Sequence, residues 1–143
     1  MRSGLIQSPM ARNFGIAPSA DEMEKLARQA LARLPDQFLS HLGDIVLQVE
    51  EFADEHLLAE MEIEDPFALT GLYEGLPLHA KSIDHSGTMP DRIRLFRRPI
   101  LDEWVARGDE TLERLIAHVV VHEVGHHFGL SDEAMHALEE AAG

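Results

Sequence analysis

One run, His122-Glu123-Val124-Gly125-His126-His127-Phe128-Gly129-Leu130-Ser131-Asp132, constrains this chain more than any other. Residues four apart share one face of a helix, so His122 and His126 can offer two imidazole nitrogens to one metal ion. Glu123 stands beside the first histidine, where a carboxylate can reach a water on that metal without being a ligand itself. A helix built this way must stop soon after 126, or its next residues point away from the metal. Glycine is the residue best able to take the left-handed conformation that ends a helix, and Gly129 is placed to do so. The returning chain then brings Asp132 round as the third metal ligand. Two neutral imidazoles and one carboxylate leave a fourth position open, which is the pattern of a catalytic zinc site rather than a closed structural one.

Chance is a weak competitor. With 9 histidines in 143 residues, a shuffled chain would contain H-E-x-x-H in about 6% of cases, but adding the glycine and the aspartate lowers this to roughly 0.03%. The competing structural reading is a solvent-facing helix end with ordinary polar residues. Three neighbours need separate treatment. His118 lies one turn before His122 and reads as a half-buried histidine beside the site. His127 points about 100° away from His126 on a helix and reads as non-ligating. Glu133 competes with Asp132 for the third position and ranks behind it.

Composition narrows the class. The length suits one domain with a single modest core. No apolar stretch approaches a membrane span, and residues 1–20 lack a secretory pattern, so the expected location is cytoplasmic. Zero cysteines leave histidine and carboxylate as the strong metal ligands. A net charge of -14 opposes nucleic-acid binding, which normally needs a basic face. Eight of the carboxylates crowd residues 50 to 65 (Glu50, Glu51, Asp54, Glu55, Glu60, Glu62, Glu64 and Asp65) with no lysine or arginine among them. They read as a solvated face; the sharper alternative is a docking surface for a basic partner.

Along the chain, Met1 to Pro18 reads as a flexible arm, and residues 19–143 as the folded domain. Ser19-Ala20-Asp21-Glu22 is a capping box opening a helix to Leu34, and a short helix to Leu42 follows Pro35. Asp44 to Glu51 alternates as a strand, with Ile45, Leu47 and Val49 on one side. A short acidic helix spans Asp54 to Glu60. Pro66 to Asp91 is a long loop, a length that is usually functional or hides short strands. Arg92 to Arg98 is a second alternating strand that Pro99 ends or keeps at an edge. The four arginines of this strand read as neutralising the acidic surround. Leu101 to Arg107 is a helix ending near Gly108. Asp109 and Glu110 open the long helix that carries the histidines, and its wide apolar face implies burial. Ser131 caps a last helix to about Ala142.

The chain resembles the small bacterial zincin-like metallopeptidases. The resembling segments are Leu72 to Leu78, Pro90-Asp91-Arg92-Ile93 through Arg97-Arg98-Pro99, and Val119 to Glu123 through Ser131-Asp132. The resemblance implies a minimal α+β zincin with a small mixed sheet packed on the active-site helix. It implies Zn²⁺ on His122, His126 and Asp132, and Glu123 as the catalytic carboxylate, with a peptide or protein as substrate. By the same resemblance, the 92–98 strand would bind peptide by strand addition. Tyr73, or an arginine of 92–98, is the candidate donor to the oxyanion. Asp132 stands where larger zincins often place histidine, and only 17 residues follow His126, so the expected cleft is shallow. Two other readings stand beside hydrolysis. One is a non-catalytic zinc-stabilised module that binds a protein partner; the other is a site that holds no zinc. The sequence carries no sign of oligomeric state.

Overall fold

The computed structural model describes residues 15–40, 45–75 and 91–142. The expectations placed on residues 1–14, on Leu42 and Asp44, and on most of the 66–91 stretch lie outside these residues. Among the described residues, six helices and three strands follow one another, in an α+β arrangement: α1 (Ala20–Ala32), α2 (Asp36–Leu39), β1 (Val46–Glu50), α3 (Glu55–Glu60), a 3-10 turn (Pro66–Ala68), β2 (Gly71–Glu74), β3 (Arg92–Phe96), α4 (Arg97–Arg107), α5 (Leu112–Phe128) and α6 (Asp132–Ala142). No helix among the described residues is long and apolar enough to cross a membrane.

Local signals set the helix ends. Ser19 and Glu22 exchange side-chain and backbone hydrogen bonds at 3.1 and 2.8 Å, completing the capping box of α1. Asp54 accepts from Leu57 N and Thr111 from Arg114 N, which caps α3 and α5 by a single side-chain bond each. Gly108, at φ 75°, ends α4. The turn after α3 uses a less suitable residue: Glu62 sits at φ 57°, with Ile63 N donating to Leu58 O at 2.9 Å. A side chain in this left-handed conformation costs roughly 1–2 kcal/mol, partly offset by the extra freedom glycine has when unfolded. Glu62→Gly is therefore expected to stabilise the protein by about 0.5–1 kcal/mol, measured as a shift in the urea midpoint at constant slope. An unchanged or lower midpoint would show that the turn carries no strain.

The sheet is mixed, with strand order β1-β3-β2. β3 pairs in parallel with β1 and antiparallel with β2. Ile93 and Leu95 of β3 are fully buried and meet Leu47, the α1 residues Met23, Ala27 and Ala30, and the inner face of α5. On the opposite face, Arg94 joins all three strands. It grips Glu50 of β1 with two bonds of 2.8 and 2.9 Å and Glu74 of β2 with one of 3.1 Å. Arg97 and Arg98 both reach Glu51, and Arg97 also donates to the carbonyl of buried Pro18 at 2.8 Å. The basic segment thus neutralises its acidic neighbours.

The 66–91 stretch holds a short strand, β2, one of its two readings, whose four residues are too few to show a period. Two expectations change here. The strand expected over 92–98 ends at Phe96, and Arg97 and Arg98 open α4, which begins four residues before the expected Leu101. Pro99 falls in the first turn of that helix, where its missing N–H has no partner to lose. Finally, β3 is the central strand. Both of its edges are taken, so a peptide has no free edge to join along 92–98.

Candidate metal and active site

Helix α5 is apolar around most of its girth. Leu112, Leu115, Ile116, Ala117, Val119, Val120, Val121 and Val124 are all buried, so sheet and α1 packing fixes its position and rotation. What remains exposed is the strip carrying His122 and His126. The rings of these two histidines lie 4.8 Å apart at 66°. Two imidazoles sharing one tetrahedral ion at about 2.0–2.1 Å place their ring centres about 5 Å apart, so this pair fits zinc. The rings of His118 and His122 lie 6.5 Å apart and nearly parallel, which does not fit a shared ion.

The position of each neighbour follows from the helical rotation of about 100° per residue. Taking His118 as zero, Gly125 lies about 20° to one side, while His122 and His126 lie about 40° and 80° to the other. Val119 and Glu123 continue the same way, to about 100° and 140°. On the Gly125 side the chain meets α6: a Cβ at Gly125 would collide with the Met135 side chain. On the Glu123 side it meets β2: a Cβ at Gly71 would lie 2.7 Å from Val119 Cγ1 and 3.5 Å from Glu123 Cγ. The histidines therefore lie on the part of α5 between its α6-facing side and its β2-facing side.

The approach at Gly71 permits a sharp test. Val119 is buried and β-branched, so it has little freedom to yield. Gly71→Ala is expected to cost about 1–3 kcal/mol by overpacking and to push β2 away from Glu123. Denaturation would read the first effect. A variant as stable as the parent would show that the strand does not sit this close to the helix.

Glu123 is the only charged residue buried among the described residues, at 5% exposure. Its Oε1 atom makes no aligned hydrogen bond, although His126 Nδ1 lies 3.2 Å away as a charge contact. Burial raises the Glu123 pKa, and the nearby imidazoles and the Tyr73 backbone amide oppose the rise without cancelling it. A buried carboxylate left short of partners beside two paired imidazoles is what a proton-transfer group in a metal site requires.

Gly129 ends α5 at φ 64° and ψ 37°. Leu130 N donates to Gly125 O at 2.9 Å and Gly129 N to His126 O at 3.3 Å, the double bond of a left-handed helix stop. Ser131 Oγ then accepts from Ala134 N at 3.2 Å and α6 begins. Asp132 occupies its first turn and is exposed, as is Glu133. Among the described residues, no three His, Cys, Asp or Glu side chains gather closely enough to hold a metal ion. The structure pairs His126 with Glu123 at 3.2 Å and places the His122 ring 4.8 Å from that of His126, and neither Asp132 nor Glu133 completes a metal-holding group with them. The side chain of His127 lies outside the described residues.

The oxyanion candidates are otherwise engaged. Arg94 is committed to Glu50 and Glu74, Arg97 and Arg98 to Glu51, Arg92 to Gln48, and the Tyr73 hydroxyl interacts with Asp91. Burial first, then the Asp91 charge, raises the Tyr73 pKa. What sequence reasoning missed is β2, which supplies the wall over Glu123. Its one legible trace was Gly71, a residue that lets a strand come close to a helix.

The sequence model of a family described as zincin-like metallopeptidases matches residues 42–142. No curated protein matches the chain. The match spans most of the chain and includes every element from β1 to α6. This chain belongs to the zincin-like metallopeptidase family.

Proposed function

We propose that this zincin-like metallopeptidase hydrolyses peptide bonds over the histidines of α5, between its α6-facing and β2-facing sides. His122, His126 and Asp132 would hold zinc, and Glu123 would act as the general base. The observation that carries the reading is the buried, poorly partnered Glu123 carboxylate beside two imidazoles spaced for one ion. When bound, zinc supplies Lewis acidity, which lowers the pKa of water and polarises a carbonyl.

The chain's own residues account for the rest. Glu123 accepts a proton from the attacking water as its oxygen bonds to the scissile carbonyl carbon. It returns that proton to the amide nitrogen as the C–N bond breaks, so the carboxylate is restored. Because His126 Nδ1 faces Glu123, the Nε2 atom is the nitrogen left for the ion. Substrate would add along the outer edge of β2. Antiparallel ladders alternate, and Phe96 N donates to Thr70 O, so the amides of Gly71 and Tyr73 face away from β3; that of Tyr73 is given to Glu123, which leaves Gly71 as the amide for substrate. Extended peptides bind in this way by main-chain hydrogen bonds.

The test is peptide cleavage with the metal removed and restored. Chelation should abolish hydrolysis, and stoichiometric zinc should restore it. Cleavage that survives complete chelation would sink the reading.

A further inference from the structure

We propose that Tyr73 is the positioning residue of the general base: its backbone amide fixes one oxygen of the Glu123 carboxylate, and its hydroxyl, anchored on Asp91, keeps that amide in place. This inference rests on the hydrolytic reading above, but it concerns two residues outside the ligand run, Tyr73 and Asp91.

A helix sets the direction in which Glu123 leaves α5, but the torsions of its side chain still decide where the two oxygens point. β2 supplies the missing constraint. The Tyr73 amide faces away from β3 and donates to the Glu123 carboxylate. Oε1 makes no aligned hydrogen bond and lies 3.2 Å from His126 Nδ1, so Oε2 is the oxygen that holds the amide. One oxygen is thereby tied to a strand, and the other is turned toward the histidines, where it can take a proton. A backbone N–H held in a sheet is a rigid donor, which a flexible side chain would not be. The close approach at Gly71, where an added Cβ would lie 3.5 Å from Glu123 Cγ, brings that donor within reach.

The side chain of Tyr73 anchors the same residue from its other end. Tyr73 pairs with Ile93 across the sheet, so it shares the core face of Ile93. Asp91, two residues before Ile93, is the diagonal position on that face, which a tyrosine can span. There the Tyr73 hydroxyl bonds to the Asp91 side chain. Asp91 is itself tied down, since its carbonyl accepts from Val46 N of β1 at 2.8 Å. Gly75, at φ 144°, makes the room: a Cβ there would collide with the Asp91 carboxylate and lie 3.1 Å from the Tyr73 hydroxyl. β2 has four residues and one partner strand, so an anchor beyond its ladder decides how firmly its outward amide is held.

Amide hydrogen exchange on the metal-free full chain reads the first contact without any activity. The Tyr73 amide should exchange at least about tenfold more slowly in wild type than in Glu123→Ala, the protection one bond to a charged acceptor supplies. Leu72 and Glu74, whose amides point toward β3, should not change. Glu123→Gln, whose side-chain carbonyl still accepts, should keep the protection. If Glu123→Ala does not fold, Tyr73→Phe gives the same reading, with the amide of position 73 losing protection as its anchor goes. Turnover of one fluorogenic peptide that wild type cleaves reads the second contact. Tyr73→Phe and Asp91→Ala are each expected to lower kcat about tenfold with KM and zinc content unchanged, and the double variant to be no worse than the more impaired single. Asp91→Asn, which can still accept from the hydroxyl, should recover most of the loss. A Tyr73 amide that exchanges equally fast in wild type and Glu123→Ala would overturn the inference, as would kcat of Tyr73→Phe within twofold of wild type. A loss in Tyr73→Phe that Asp91→Ala does not share would also overturn it, and would make the hydroxyl an oxyanion donor instead. A wild type that cleaves no peptide would remove the hydrolytic reading and this inference with it, whereas cleavage with an unprotected Tyr73 amide would remove this inference alone.

Discussion

Glu123→Gln is expected to lower peptide hydrolysis by about 10²–10⁴-fold, the range over which a positioned general base contributes, while leaving zinc binding intact. The same substitution should stabilise the metal-free protein at pH values above the folded Glu123 pKa, by about 1 kcal/mol for relieving a buried, poorly partnered charge. The two effects share one cause. A carboxylate that is nearly dry and short of hydrogen bonds is a better base and a worse structural residue. The pH dependence gives the sign. The Glu123 pKa is raised above its ordinary value of 4.5 in the folded chain, chiefly by burial. The native state therefore binds this proton more tightly than the unfolded state does, and stability falls as pH rises from 4.5 to the folded value. Glutamine has no such proton. The advantage of Glu123→Gln should be full above that window and absent below it. Urea denaturation of the two metal-free proteins at pH 4 and at a pH above that window measures this. An advantage equal at both pH values would mean that the Glu123 charge is not what destabilises the fold.

The second large effect concerns the imidazole pair. His122→Ala is expected to weaken zinc by at least about 100-fold. Four-ligand zinc sites bind with about 10–16 kcal/mol, so one ligand accounts for about 3 kcal/mol or more. The metal-free fold should barely change, because the His122 side chain is exposed and the core face of α5 is untouched. Thermal melting reads both halves of this prediction. Zinc should raise the melting temperature of wild type by mass action and leave that of His122→Ala nearly unmoved. Equal zinc-induced shifts in the two proteins would place the metal elsewhere.

Much of this site was legible in the residues. The i, i+4 histidines predict a helix face, Gly129 predicts its left-handed stop, and Ser131 predicts the next helix; all three features are present. The capping box at Ser19 and the alternations around Leu47 and Ile93 were equally plain, because each is written over consecutive residues. What could not be read depends on contacts distant in sequence. β2 is four residues long, and only its pairing with β3 makes it a strand. Whether β3 lies at the centre or the edge of the sheet is decided by β1 and β2, and nothing within 92–98 records it. Pro99 is ambiguous for a similar reason, since a strand end and a first helical turn tolerate it equally. Arg94 sat in a suggestive basic segment, yet Glu50 and Glu74 claim it across two other strands. The burial of Glu123 also came as a finding. A position beside a ligand gives its direction from the helix axis, while its dryness comes from β2 lying over it.

In the proposed function, a zinc ion on this histidine pair works with Glu123 to cut peptides. The most direct measurement loads wild type and Glu123→Gln with zinc, determines metal content by mass spectrometry, and exposes both to the same broad peptide library. One zinc per chain is expected in both proteins, with cleavage by wild type alone. Equal zinc with no cleavage by either, or with the same cleavage by both, would contradict it.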